Sequence, residues 1–242
     1  MPDTIVITGA SQGIGLATAQ CLAERGFAVV GIARSDHGDT FPGELFKADL
    51  GDIDQTTKVL EHINARHEVD GLVNNLGLNV VERIGSVDLD QFRRVIDMNL
   101  RSAVQVTQAF LPGMRARRYG RIVNISSRGA LGRPGRTSYG AAKAGIVGMT
   151  RTWALELATE GVTVNAVSPG PTITEMFRRN NLSGPDAEER LGAFVADVPM
   201  GRLGTPEEIA FAIAFFLERG AGFVTGQILH ACGGSSVGTV SI

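Results

Sequence analysis

The chain has 242 residues, 43% of them hydrophobic and 20% charged, with a formal net charge of −2. That length can bury one sizeable core, and the near-neutral balance gives no electrostatic reason to expect nucleic acid or an acidic membrane surface as a partner. Two isolated cysteines, Cys21 and Cys232, make no C-x-x-C pair, and His37, His62, His67 and His230 are scattered without metal-ligand spacing, so neither a disulfide framework nor a metal is expected.

The first strand, residues 4–8, begins almost at once and leaves no room for a signal peptide. It runs into Thr8-Gly9-Ala10-Ser11-Gln12-Gly13-Ile14-Gly15 and then into a helical pattern over 12–25 that Gly26 stops. A glycine-rich turn between a strand and a helix N-terminus points backbone N–H groups outward at the positive end of the helix dipole, which makes it a cradle for an anion. Gly9 permits the tight turn, while Gly13 and Gly15 allow a pyrophosphate and the next helix to come close. The spacing is G-x-x-x-G-x-G rather than the more common G-x-G-x-x-G, and a plain tight turn is the competing reading.

A second strand over 28–33 leads to Arg34 and Ser35, then to a Gly-, Asp- and Pro-rich loop over 36–43. Further strands are expected at 45–48, 71–74, 121–126, 162–167 and 227–230, and helices at 53–66, 89–118, 137–160 and 206–219. Thr205-Pro206-Glu207-Glu208 is a capping box with proline in the first helical position. The alternation predicts a Rossmann-like α/β fold: one doubly wound parallel sheet of about seven strands with helices on both faces, in a single domain over 1–242. Residues 171–200 break the regularity with Asn180-Asn181-Leu182-Ser183-Gly184-Pro185-Asp186 and are expected to form a substrate lid. The longest apolar stretch, about 209–217, is too short for a bilayer, and a soluble cytoplasmic protein is expected.

Tyr139 and Lys143 stand four residues apart on one helical face, just after Ser126-Ser127 at the end of a strand. A free tyrosine has a pKa of about 10, too high for proton transfer at neutral pH. A neighbouring ammonium stabilises the phenolate, and a serine hydroxyl can hold the substrate oxygen.

Together with Asn74-Asn75-Leu76-Gly77, Asn99, Asn165-Ala166-Val167-Ser168-Pro169-Gly170 and Gly226-Gln227-Ile228-Leu229-His230, these motifs resemble those of the short-chain dehydrogenase/reductase family from Thr4 to about Gly234. Within that family the chain is most similar to the 3-oxoacyl-acyl-carrier-protein reductase group. The resemblance implies a catalytic set of Asn99, Ser127, Tyr139 and Lys143, with Asn99 holding a water that passes protons to Lys143. It implies dinucleotide contacts at Gly9, Ser11, Gln12, Gly13, Ile14, Gly15, Arg34, Ser35, Asp49, Leu50, Asn75, Gly77, Tyr139, Lys143, Pro169, Gly170, Thr172 and Thr174, with Asp49 against the adenine and no metal.

Where NAD-binding relatives carry a ribose-binding carboxylate, this chain has Ala33 followed by Arg34, a match for the 2′-phosphate of NADP, with Ser35 as a further donor. NADP is expected ahead of NAD, although Gln12 replaces a basic residue common in NADP-preferring relatives and Asp36 is an alternative ribose ligand. Alignment from Gly120 selects Ser127 for the substrate oxygen, whereas counting back from Tyr139 selects Ser126; Ser127 is preferred, with the loop over 128–138 one residue short. Leu76 is bulkier than the family's usual residue. Arg128, Arg133 and Arg136 crowd the approach to Tyr139; solvated side chains are the favoured reading, an anionic substrate or carrier the sharper one.

The implied activity is NADP-dependent hydride transfer between nicotinamide and a ketone or secondary alcohol, with a 3-oxoacyl thioester as the leading substrate. The alternatives are a dehydrogenase of a polyol, steroid or cyclic alcohol, and a non-catalytic cofactor-binding protein, against which the intact Tyr139/Lys143 pair argues. A homo-oligomer, tetramer or dimer, is implied.

Overall fold

In β1 (Thr4–Thr8), Ile5 and Ile7 pack into one buried apolar cluster and Val6 into another on the opposite side of the sheet. The period of two places the same strand in both cores. This computed structural model describes residues 2–35 and 40–238. The other strands are β2 (Ala28–Ala33), β3 (Glu44–Lys47), β4 (Gly71–Asn74), β5 (Gly120–Ile125), β6 (Val162–Pro169) and β7 (Ile228–Ala231). All pairings are parallel, in the order β3-β2-β1-β4-β5-β6-β7. Chain direction across the sheet reverses beside β1, between it and β4, and doubly wound sheets bind ligands at the strand ends there.

On one face lie α1 (Gly13–Glu24) and α8 (Pro206–Leu217), burying Leu22, Ile209 and Ile213 against the sheet. The other face carries α2 (Ile53–Asn64), α4 (Ser102–Arg117) and α5 (Thr137–Leu157), which contribute Leu60, Ile63, Phe110 and Leu157. The capping box is formed: Thr205 Oγ1 accepts from Glu208 N, and Glu208 accepts from Thr205 N at 2.9 Å.

The structure departs from the sequence reading in one long helix. The helix expected over 89–118 is α3 (Leu89–Ile96) and α4 joined by a π-helical turn, Asp97–Arg101. Asn99 Nδ2 donates to the Val95 carbonyl at 2.8 Å, and so competes for an acceptor that an α-helix reserves for backbone N–H. The expected lid segment contains α6 (Glu175–Asn181) and α7 (Ala187–Ala196). Phe177 and Phe194 meet edge to face, 4.8 Å between centroids, in a small apolar cluster with Val198 and Leu203 that is separate from the two sheet cores.

Candidate active site

The glycine turn begins where β1 ends. Gly9 and Gly13 have φ of +65° and +54°, left-handed backbone that favours glycine. Gly15 stays open for a different reason: a Cβ there would run into the Gly9 carbonyl and Asn75 Nδ2. Asn75 Nδ2 donates to the carbonyls of Thr8 at 2.9 Å and Gly9 at 3.1 Å, so the end of β4 locks the turn in place.

A cavity of about 340 Å³ runs from this turn to Tyr139. Its walls include Gly9, Ser11, Gln12, Gly13, Ile14, Arg34, Ser35, Leu50, Asn75, Gly77, Ser127, Tyr139, Lys143, Pro169, Gly170, Thr172 and Thr174. Three residues from the sequence reading are not on its walls. Gly15 serves helix packing. Asp49 Oδ1 accepts from Gly51 N at 2.9 Å, closing a local turn, and only its neighbours Ala48 and Leu50 face the cavity. Asn99 lies behind Gly77, buried. Two wall residues have structural tasks as well: Thr172 Oγ1 donates to Gly170 O at 3.0 Å, and Thr174 Oγ1 accepts from Phe177 N at 3.1 Å to cap α6. Asp36 lies outside the described residues.

The two adjacent serines follow β5 directly, with Ser127 in extended backbone, and extended backbone turns neighbours to opposite sides. Ser126 Oγ turns into the protein and donates to Lys143 O at 2.9 Å. Ser127 Oγ accepts from Gly129 N at 3.0 Å and shares a hydrogen bond with Tyr139.

Burial holds the Tyr139 phenol above the ordinary value, opposed by the Ser127 hydrogen bond and by the Arg136 charge. Lys143 is 3% exposed, and burial pushes its ammonium down to about 8. Its Nζ donates to Ile125 O at 2.8 Å and lies 5.6 Å from the Tyr139 ring centroid. Arg136, for which the sequence reading favoured a solvated side chain, adds a second positive charge that favours the phenolate. Behind Lys143, Asn99 Nδ2 donates to Leu78 O at 2.9 Å, while its Oδ1 is buried with no partner. A Cβ on Gly77 would stand 3.1 Å from that oxygen and 3.3 Å from Lys143 Nζ, so glycine keeps the space between them clear.

Asn79, Asn181, Phe177 and Phe194 also face the cavity and were not anticipated as site residues; Arg136 faces it too, where the sequence reading favoured a solvated side chain over an anion ligand. The breaker cluster containing Asn181 was the signal for the lid, but residue type alone did not reveal which side chains turn inward.

The profile of a family described as enoyl-(acyl carrier protein) reductase matches residues 9–236. A 3-oxoacyl-[acyl-carrier-protein] reductase of Vibrio harveyi is 38% identical over 238 residues, covering 95% of each chain. The chain belongs to the short-chain dehydrogenase/reductase family. Solved members of similar shape include the aldohexose dehydrogenase of Thermoplasma acidophilum, with a TM-score of 0.93 and 31% identity over 100% of this chain and 97% of that one. A putative NAD(P)-dependent gluconate 5-dehydrogenase from Beutenbergia cavernae, solved with bound NADP, gives a TM-score of 0.88 and 34% identity over 96% of both chains. Family members are oxidoreductases, and here the serine, tyrosine and lysine of the family converge on one wall of the cavity.

Proposed function

We propose that the protein is an NADP-dependent reductase of a ketone to a secondary alcohol, with a 3-oxoacyl thioester as the leading substrate. The observation that carries this reading is the continuity of one cavity from the Gly9–Gly13 turn to the Ser127–Tyr139–Lys143 cluster. The residues fit a dinucleotide: left-handed glycines open the α1 N-terminus to phosphate, and Gly77 leaves room beside Lys143. Gly9, Gly13 and Ile14 would take the pyrophosphate, Leu50 the adenine side, and Lys143 the inner ribose. Arg34 is exposed on the cavity wall and makes no ion pair among the described residues, which supports a 2′-phosphate partner.

When bound, the dinucleotide supplies hydride chemistry at the carbonyl carbon. The chain's own residues handle the oxygen and its proton. Ser127 donates to the carbonyl oxygen and aligns it with the Tyr139 hydroxyl. Tyr139, kept protonated at neutral pH by burial, gives its proton to that oxygen as charge develops there. Lys143 and Arg136 stabilise the phenolate left behind. Asn99 Oδ1, buried and unpartnered beside Lys143, is placed to hold a water that returns a proton to the lysine. The α6–α7 segment acts as the lid.

A second reading has support from the solved relatives: oxidation of a sugar-type or cyclic secondary alcohol, the reverse direction at the same residues. Assays with acetoacetyl thioester, ketoses, cyclic ketones and the matching alcohols, each with both cofactors, separate the two. Turnover of the thioester with NADPH supports the first reading; turnover confined to polyols overturns it.

We further propose a cytoplasmic homo-oligomer. Phe211 and Phe215, one turn apart on α8, are exposed, as is Phe223, and exposed aromatic surface of that kind favours association. Sedimentation equilibrium giving a monomer would contradict it.

A further inference from the structure

Seven cationic side chains and one carboxylate, Glu175, line the cavity of a chain whose formal net charge is −2. Arg34 is at the β2 end. Arg128, Arg133 and Arg136 are at the other end, around Tyr139, and among the described residues none of the three forms an ion pair. Arg133 stacks 4.1 Å over the Phe194 ring, and the Asp197 carboxylate acts on it only from a distance. Arg128 Nε donates to Ser235 O at 3.2 Å.

Arg136 is the deepest of the three, 7% exposed. Its Nη1 donates to Asn79 Oδ1 at 3.2 Å and its Nη2 to Asn181 Oδ1 at 2.8 Å. These neutral amides aim the guanidinium without neutralising it, and its remaining donors have no partner among the described residues. The groups whose charge acts on it include another cation, Arg133, and the Tyr139 phenol; Glu82, joined to it by a backbone bridge, forms no ion pair with it. Helix chemistry does not explain the residue either. Arg136 occupies the N-cap of α5, a position suited to Ser, Thr, Asp or Asn, and makes no cap bond. A buried cation with a cationic neighbour and no counter-ion is unfavourable unless an anion joins it.

We infer that this end of the cavity binds an anionic group, a carboxylate or phosphate, carried by the same small molecule as the reacting carbonyl, with Arg136 as the clamp and Arg133 in support. The inference rests on the reductase reading and sharpens it. Arg136 stands one helical turn before Tyr139, so the anion lies only a few bonds from the carbonyl carbon. A carrier thioester places its phosphates many bonds away, which makes a keto acid the better fit. The link from Arg136 to Asn181 on α6 also means that the anion would bind where the lid meets the site.

The test pairs each ketone acid with its neutral ester: acetoacetate with methyl acetoacetate, and 4-oxopentanoate with methyl 4-oxopentanoate. Acetoacetyl-coenzyme A is paired in the same way with acetoacetyl-N-acetylcysteamine. The readout is the acid-to-ester ratio of kcat/KM, which cancels any general loss of turnover. Charge-assisted hydrogen bonds of this kind correspond to roughly ten- to a hundredfold. The wild type should favour the acid by that factor in at least one ketone pair, and Arg136→Gln should bring the ratio close to one. Equal or better use of both esters overturns the inference, as does a preference that Arg136→Gln leaves unchanged. A charge preference seen only in the thioester pair, and independent of Arg136, assigns the anion to the carrier and also overturns it. If Arg136→Gln does not fold, malonate against methyl acetoacetate reduction by the wild type decides. Competition with the ketone supports the inference; no inhibition, or competition with the cofactor alone, refutes it. Absence of turnover with every ketone and both cofactors would be a failure of the reductase reading itself.

Discussion

Tyr139 is asked to give up a proton from a site whose burial favours keeping it. Tyr139→Phe deletes only the hydroxyl, and a positioned proton donor contributes typically about 10²–10⁴-fold, so kcat should fall by that factor while cofactor titrations stay near wild type. The adjacent serines make a sharper comparison. Ser127→Ala should cost turnover heavily, beyond the modest stability lost with the bond from Gly129 N. Ser126→Ala, which removes a buried bond to the Lys143 carbonyl, should cost about 1 kcal/mol of stability in denaturant melts and much less activity. The Lys143 ammonium, pushed down to about 8, is charged below that pH and neutral above it. Reductive kcat/KM should therefore hold at neutral pH and fall as pH rises through about 8; a flat profile from pH 7 to 9 would remove Lys143 from the proton path. At this scale the sequence disclosed residue types and spacing, hence Tyr139 and Lys143. It could not disclose the burial of Arg136, because an arginine in a loop reads as solvated until the 79 and 181 amides are seen to enclose it.

The elements around the site were legible where a period or a cap marked them. An unbroken run of β-branched residues announced β1, and Thr205 with Glu208 announced α8. The π turn was not legible, since its cause is one side-chain bond, from Asn99 to Val95 O, inside an otherwise continuous helical pattern. Its consequence is functional: the turn carries Asn99 behind Gly77 and Arg101 toward the cavity floor, where Nη2 donates to Leu50 O at 2.9 Å and Gly51 O at 3.0 Å. The roles assigned to Gly15 and Asp49 shifted for a related reason. Motif position marked them as important but did not say whether they meet a ligand or the backbone. The proposed lid is held by its own cluster, so Phe194→Ala should loosen α6 and α7, and release the Arg133 guanidinium stacked on that ring, without loosening the sheet. Hydrogen exchange should speed up across 175–196 with the sheet strands unaffected, and KM for the ketone should rise; uniform acceleration across the molecule would show that the segment is not an independent unit.

Across the whole molecule, one parallel sheet brings the end of β2, with Arg34 as the proposed 2′-phosphate ligand, into the same cavity as the start of α5, with Tyr139 as the proposed proton donor. Arg34→Ala should weaken NADP by about one to two powers of ten and leave NAD nearly unchanged, since hydrogen bonds to a charged group are worth roughly 1.5–3 kcal/mol. The direct test of the account is the rate of NADPH and NADH oxidation by the purified protein with acetoacetyl thioester and the paired ketones, in wild type and Tyr139→Phe. The account predicts reduction with NADPH favoured over NADH by about tenfold or more in kcat/KM, as the Arg34 contact implies, and loss of reduction in Tyr139→Phe with cofactor still bound. Near-normal turnover by Tyr139→Phe, or no oxidation of either cofactor with any ketone, would contradict it.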